Sequence, residues 1–278
     1  MGLNAGKARR LRRIAGPSGR MVILPLDIVV PVGPFPGAAD TGALIDMAGE
    51  VGVDAVILRW GEAKRYAERL HPALGLIVRI SGATGLGDDE LPQATVNSVL
   101  ASLRIGADAV CVDLELGDEG ETASTRAFGH VCEEAERLGV AVLAEVHVGA
   151  PAAGSGLTRA DALAWGARTA RELGADLVKV SYPGSSEAVA TICELAGIPV
   201  VVAGGALRDP EDALATAGEA LRGGAAGTAF GRNVIGHPAP GEMQRAVIEL
   251  VRGSGSSDGG LARLRAGGDG VTEGGAVR

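Results

Sequence analysis

Eight short apolar runs, alternating with longer patterned stretches from Met21 onward, constrain this chain more than any other feature. The runs fall at 21–27, 55–60, 74–81, 107–115, 140–148, 177–182, 198–204 and 227–232. Each has the length of a strand and is apolar nearly throughout, as a strand buried on both faces of a parallel sheet reads. Stretches with helical spacing lie between them at 40–50, 61–70, 91–105, 122–138, 158–173, 185–196 and 210–221, and a last one at 241–252 follows the eighth run. Gly52, Gly106, Gly139, Gly174 and Gly197 stand just past five of these stretches, where a left-handed cap ends a helix. Eight strand–helix units in a chain of 278 residues predict a (β/α)8 TIM barrel, an α/β fold typically of ~250 residues, as a single domain over 21–252. Residues 1–20 read as a basic helical segment lying on that domain. Residues 253–278, rich in Gly, Ser and Asp, read as a disordered tail.

The sixth run carries a lysine, Lys179, in its middle. Burying an ammonium is costly unless it is paired or neutral. The chain holds three lysines, Lys7, Lys64 and Lys179, among 26 basic residues, so arginine supplies nearly every plain positive charge. A lysine kept inside a strand then suggests amine chemistry, because a desolvated amine can lose its proton and attack a carbonyl, which arginine cannot do. The alternative is a lysine that snorkels to solvent or pairs with an acid. Lys7 and Lys64 fall in helical stretches expected to be exposed, with charged, unreactive amines.

Active sites of such barrels lie at the C-terminal ends of the strands. Those ends carry Asp27 on the first run, Arg59 on the second, and Arg79 and Ser81 on the third. The fourth supplies Asp113 and Glu115, the fifth Glu145 and His147, and the sixth Lys179 and Ser181. Within the fourth, fifth and sixth runs the polar positions are two apart, so each pair faces the same side of its strand. Charged groups therefore converge on one mouth, which favours the functional reading of Lys179. The seventh and eighth runs end instead in Gly204-Gly205 and Gly231-Arg232, each followed by a helix start. Bare backbone N–H groups, a helix N-terminus and an arginine are what a phosphate needs, so the expected substrate is a phosphorylated small molecule.

Pro25-Leu-Asp27, Ile80-Ser-Gly-Ala-Thr84, Gly106-Ala-Asp-Ala-Val110, Gly174-Ala-Asp-Leu-Val-Lys179, Val201-Val-Ala-Gly-Gly205 and Gly227-Thr-Ala-Phe-Gly-Arg-Asn233 resemble the archaeal-type class I fructose-bisphosphate aldolases. That family includes the aminodideoxyheptulosonate synthases and actinobacterial relatives that join aspartate semialdehyde to dihydroxyacetone phosphate. The resemblance covers about 21–252, and the last three motifs are the specific ones. It implies a Schiff base on Lys179 with no separate cofactor, an acid/base role for Asp27, and phosphate held by Gly204, Gly205, Gly231 and Arg232. Arg59, Arg79, Ser81, Asp113, Glu145 and Ser181 are left to bind the rest of the substrate.

The sequence also departs from the family pattern. Asp27 is followed by Ile28-Val29 where the family has His-Gly, Arg59 and Asp113 replace histidines, and His147 stands where a tyrosine acid is usual. These changes point to conserved imine chemistry on a changed acceptor. His147 is suited to proton transfer near neutral pH, or shapes the pocket through a hydrogen bond. Two other classes stay open. One is metal-assisted carbon chemistry, with Asp27, Asp113, Glu115 and Glu145 around magnesium or manganese. The other is a non-catalytic, sugar-phosphate-binding regulator on the same barrel.

A net charge of -8 argues against nucleic acid as a partner. No apolar run reaches the ~18 residues of a membrane span, and the basic stretch 7–13 lacks the apolar core of a signal peptide. Cys111, Cys132 and Cys193 lack metal or redox spacing and read as buried thiols in a reducing, cytoplasmic setting. A homo-oligomer is expected.

Overall fold

A computed structural model describes residues 4–16, 19–84, 94–117, 119–151 and 154–253, with Gly259 and Leu264. Its strands in chain order are β1 (Met21–Pro25), β2 (Ala55–Arg59), β3 (Gly75–Arg79), β4 (Ser81–Gly82), β5 (Ala94–Thr95), β6 (Ala109–Leu116), β7 (Ala141–Val148), β8 (Leu177–Ser181), β9 (Val200–Ala203) and β10 (Gly227–Ala229). Eight of them close a parallel barrel in the order β1-β2-β3-β6-β7-β8-β9-β10, and β4 and β5 form a small antiparallel hairpin beside it. The expected (β/α)8 barrel is what the chain forms.

The helices are α1 (Ala5–Ile14), α2 (Val29–Val32), α3 (Thr41–Val51), α4 (Trp60–Tyr66), α5 (Val99–Arg104), α6 (Glu121–Leu138), α7 (Arg159–Glu172), α8 (Ser186–Ala196), α9 (Pro210–Arg222), α10 (Arg232–Ile235) and α11 (Pro240–Val251). The helix expected over 91–105 is shorter. The N–H groups of Val96 and Asn97 bond to the Ile80 carbonyl, which holds the chain extended up to Ser98, whose hydroxyl caps α5 by accepting from Ala101 N. Residues 91–93 lie outside the described residues, as does nearly all of the tail from 254.

Side chains pointing inward fill the lumen with apolar residues, among them Ile23, Ile57, Ile77, Cys111, Leu143 and Leu177. Ile14, at the end of α1, is fully buried against that cluster, so α1 plugs the N-terminal end of the barrel. The Gly-x-Asp turns before β2, β6 and β8 lock the same end. Asp54 accepts from Val22 N at 2.8 Å, Asp108 from Leu76 N at 3.0 Å and Asp176 from Val142 N at 2.9 Å. Each also meets a cation: Arg252 at 3.1 Å, Arg13 at 3.0 Å and Lys7 at 3.0 Å.

Lys7 thus departs from expectation. It is buried, not exposed, and its ammonium bridges Asp176 and Glu136, the latter at 2.6 Å. Burial opposes its charge, but the two carboxylates more than offset this and raise its pKa, so it stays an ammonium. Lys64 sits 5.3 Å from the Trp60 ring centroid. Cys111 and Cys132 are buried free thiols, pushed up to about 11 and about 12 by burial, whereas Cys193 is only half-buried. No described helix is long and apolar enough to cross a membrane.

Candidate active site

The barrel register brings the polar residues together. Asp113 on β6 lies opposite Glu145 on β7, and Glu145 opposite Lys179 on β8, so the three occupy one rung. Side chains two residues apart share a face, so this rung sits directly above the apolar one formed by Cys111, Leu143 and Leu177. Lys179 is therefore a strand residue at the top of a dry core, and it is 6% exposed.

Arg79, at the end of β3, lies at the centre of the cluster. Its guanidinium binds Asp27 through Nε, Asp113 through Nη1 at 2.6 Å to both oxygens, and Glu145 through Nη2. Arg59 donates to the Ser81 carbonyl at 2.8 Å and the Asp27 carbonyl at 3.2 Å, tying the ends of β1, β2 and β3 together. Lys179 Nζ meets Glu145 Oε1 at 2.7 Å. Burial, followed by the nearby Arg79 charge, lowers the pKa of Lys179 despite the surrounding acids. Burial works against ionising Asp113 too, but Arg79 and His147 hold its carboxyl far below the usual range. His147 Nε2 lies 2.9 Å from Asp113 Oδ1, and its ring is half exposed.

These groups line a cavity of about 390 Å³ that also takes in Ser181, Gly204, Gly205, Gly231 and Arg232. Every residue singled out in the sequence lines this cavity except Ser81, which sits behind Asp113, and Glu115. At the far side, Gly205 has φ 73, a left-handed conformation that favours glycine. A Cβ on Gly231 would come within 2.8 Å of the Pro25 carbonyl. The Asn233 amide fixes the loop between them, donating to the Gly204 carbonyl and accepting from Arg208 N, both at 3.0 Å. The backbone N–H groups of Gly205, Gly231 and Arg232 make no hydrogen bond to another described residue.

Sequence reasoning missed two parts of the lining. One is Ile28, Pro31 and Val32, on and beside the short helix α2. The other is Arg159, the first residue of α7, which forms no ion pair with a described residue. The start of α7 was legible, but nothing local shows that it reaches back over the mouth. Donor atoms of Asp113, Glu145 and His147 lie within 4.8 Å of one another, a spacing open to a cation. Yet Asp113 and Glu145 already hold Arg79 and Lys179, whose charges repel one.

A family model described as DeoC/LacD family aldolase matches residues 21–237, and the chain belongs to that family. It is 34% identical over 265 residues to a 2-amino-3,7-dideoxy-D-threo-hept-6-ulosonate synthase of Halobacterium salinarum, covering 94% of this chain and 97% of the relative. It is 38% identical over 251 residues to a 2-amino-4,5-dihydroxy-6-oxo-7-(phosphonooxy)heptanoate synthase of Streptomyces griseus, covering 89% and 90%. An archaeal fructose 1,6-bisphosphate aldolase superposes with a TM-score of 0.80 at 28% identity, over 89% of this chain and 99% of that one. Another such structure, with a TM-score of 0.79 at 27% identity over 88% and 99%, has its catalytic lysine covalently bound to the carbinolamine intermediate. The enzyme class is that of a Schiff-base aldolase-type lyase or synthase.

Proposed function

We propose that Lys179 forms an imine with the carbonyl of a ketose phosphate such as dihydroxyacetone phosphate, and that no separate cofactor takes part. The observation that carries this reading is the position of Lys179. It is a buried amine of lowered pKa at the top of the barrel lumen, and it opens on a cavity whose far wall carries the Gly205, Gly231 and Arg232 backbone N–H groups, which have no partner among the described residues. Only the neutral amine attacks a carbonyl, so desolvation beside Arg79 prepares it. Gly204, Gly205, Gly231 and Arg232 hold the phosphate, Asp27 and His147 move protons, and Arg59, Arg79, Asp113, Glu145 and Ser181 complete the pocket, with Ser81 behind Asp113. The protonated imine withdraws electrons from the adjacent C–C or C–H bond.

The acceptor differs from that of the usual aldolases. Support comes from apolar Ile28, Pro31 and Val32 beside Asp27, and from the Streptomyces griseus relative, whose name is that of a synthase of a phosphorylated amino acid. A biosynthetic role, a cytoplasmic setting with three free thiols, and a homo-oligomer covering Trp165, which is 63% exposed on α7, belong to the same reading. Metal-assisted chemistry fits less well, because the Arg79 guanidinium lies among Asp27, Asp113 and Glu145.

Incubation with dihydroxyacetone phosphate and borohydride tests the proposal. Mass spectrometry should find the reduced adduct on Lys179 and on neither Lys7 nor Lys64, and Lys179→Arg should abolish it while the fold persists. An active enzyme with unlabelled Lys179, or activity removed by a chelator, would reject the imine.

A further inference from the structure

The geometry points to Asp113 as a positioning residue. It fixes the proton of His147 on Nε2 and leaves Nδ1 as the atom that exchanges a proton with the substrate. This rests on the proposed imine reaction and specifies how its proton is moved.

An ionised carboxylate accepts about four hydrogen bonds and donates none. The Asp113 carboxylate makes four contacts, all within the protein. Arg79 Nη1 lies 2.6 Å from each oxygen, the Ser81 hydroxyl donates to Oδ2, and His147 Nε2 lies 2.9 Å from Oδ1. Ser81 Oγ is itself held in place by accepting Asp113 N at 2.9 Å, so the carboxylate cannot turn to meet a ligand. Asp113 is 5% exposed, and no acceptor site is left for a substrate hydroxyl. Its neighbours keep it ionised, as the depressed pKa also indicates. The imidazole nitrogen facing a permanent acceptor must carry hydrogen, which makes neutral His147 the Nε2–H tautomer. Nδ1 makes no hydrogen bond with a described residue, and the ring lines the cavity.

The step balances without a further reagent. In the direction of bond formation, the enamine π pair forms the new C–C bond to the acceptor carbonyl carbon. The carbonyl π pair moves to oxygen, which takes the proton from Nδ1–H of the imidazolium, while the lysine nitrogen lone pair forms the iminium. His147 is left neutral with its Nε2–H still on Asp113. Cleavage runs the same transfers backwards.

The first test uses the unmodified enzyme. In [15N]histidine-labelled protein, with the His147 signal assigned by comparison with His147→Ala, neutral His147 should carry its proton on Nε2 and show a bare Nδ1. A proton on Nδ1, or the rapidly exchanging tautomer mixture of free histidine, would overturn the inference. The second test is kinetic. An asparagine side chain can turn its N–H toward Nε2 and so favour the wrong tautomer. Asp113→Asn should therefore lower kcat about 100-fold, within the range of general acid–base catalysis, with KM for dihydroxyacetone phosphate little changed. In a His147→Ala background the same substitution should cost almost nothing more, since the two act as one unit. A full additional loss, or a raised KM with kcat intact, would mean that Asp113 meets the substrate itself. Borohydride labelling of Lys179 separates the two readings. Its loss in the wild type rejects the imine, while the histidine spectrum reports on Asp113 regardless.

Discussion

Replacing Arg79 with Met tests whether one guanidinium organises the mouth of this barrel. The Arg79 side chain is 7% exposed, and the side chains of its partners Asp27, Asp113 and Glu145 are 5%, 3% and 16% exposed, so solvent screens these pairs little. Removing one partner of a buried pair costs about 3–5 kcal/mol, because the charge left behind is desolvated and unpaired. Here three carboxylates lose the same partner, which places the expected loss at the upper end of that range at pH 7.

The sign of the pH dependence makes the test specific. In the wild type the Asp113 carboxyl is held below its unfolded value, so its contribution is complete above the usual carboxylate range and is lost progressively as pH falls below that range. In Arg79→Met, burial becomes unopposed by Arg79 and raises the same carboxyl. A raised acid binds more protons folded than unfolded, so the variant loses stability as pH rises. The stability gap between the two proteins, measured by urea denaturation, should therefore narrow from pH 7 to pH 5. A gap below about 1 kcal/mol, or one equal at both pH values, would refute the reasoning and reduce Arg79 to packing. The amine supplies a second readout. Burial and Arg79 together lower the Lys179 pKa, so the variant should trap dihydroxyacetone phosphate fastest at a higher pH than the wild type.

Arg232→Ala should weaken dihydroxyacetone phosphate binding by about 1.5–3 kcal/mol, as expected for a charged hydrogen bond, and an unchanged calorimetric affinity would place the phosphate elsewhere. Arg159→Ala should raise KM for an acceptor aldehyde that bears a negative charge more than for a neutral one, by about 1 kcal/mol for an exposed charge pair, whereas equal effects would remove Arg159 from acceptor recognition. Lys7→Met strips the partly buried Asp176 of its cation at the opposite end of the barrel. It should cost about 1–3 kcal/mol in urea denaturation with borohydride labelling of Lys179 intact, and loss of that labelling would show the two ends to be coupled.

What the sequence disclosed follows the range of the interactions that built it. The eight barrel strands and their order were legible because burial on both faces writes a continuous apolar run, whereas the short β4 and β5 write none. Lys179 was legible because it contradicts such a run, and the ends of β9 and β10 because glycine marks the backbone itself. Lys7 was misread for the opposite reason. Its helix is basic and short, and the partners that bury it, Glu136 and Asp176, lie 129 and 169 residues away. Arg79 was read as one pocket residue among several, yet it is the hub of the cluster. No spacing along the chain reveals this, because its three acids come from the segment after β1, from β6 and from β7, and meet it only once the barrel closes. A period of two tells which way a side chain points, and only the closed register tells what stands opposite. The same limit left the role of Asp113 open. Its place on the inner face was visible in the strand, but the saturation of its oxygens by Arg79, Ser81 and His147 is a property of four strands at once.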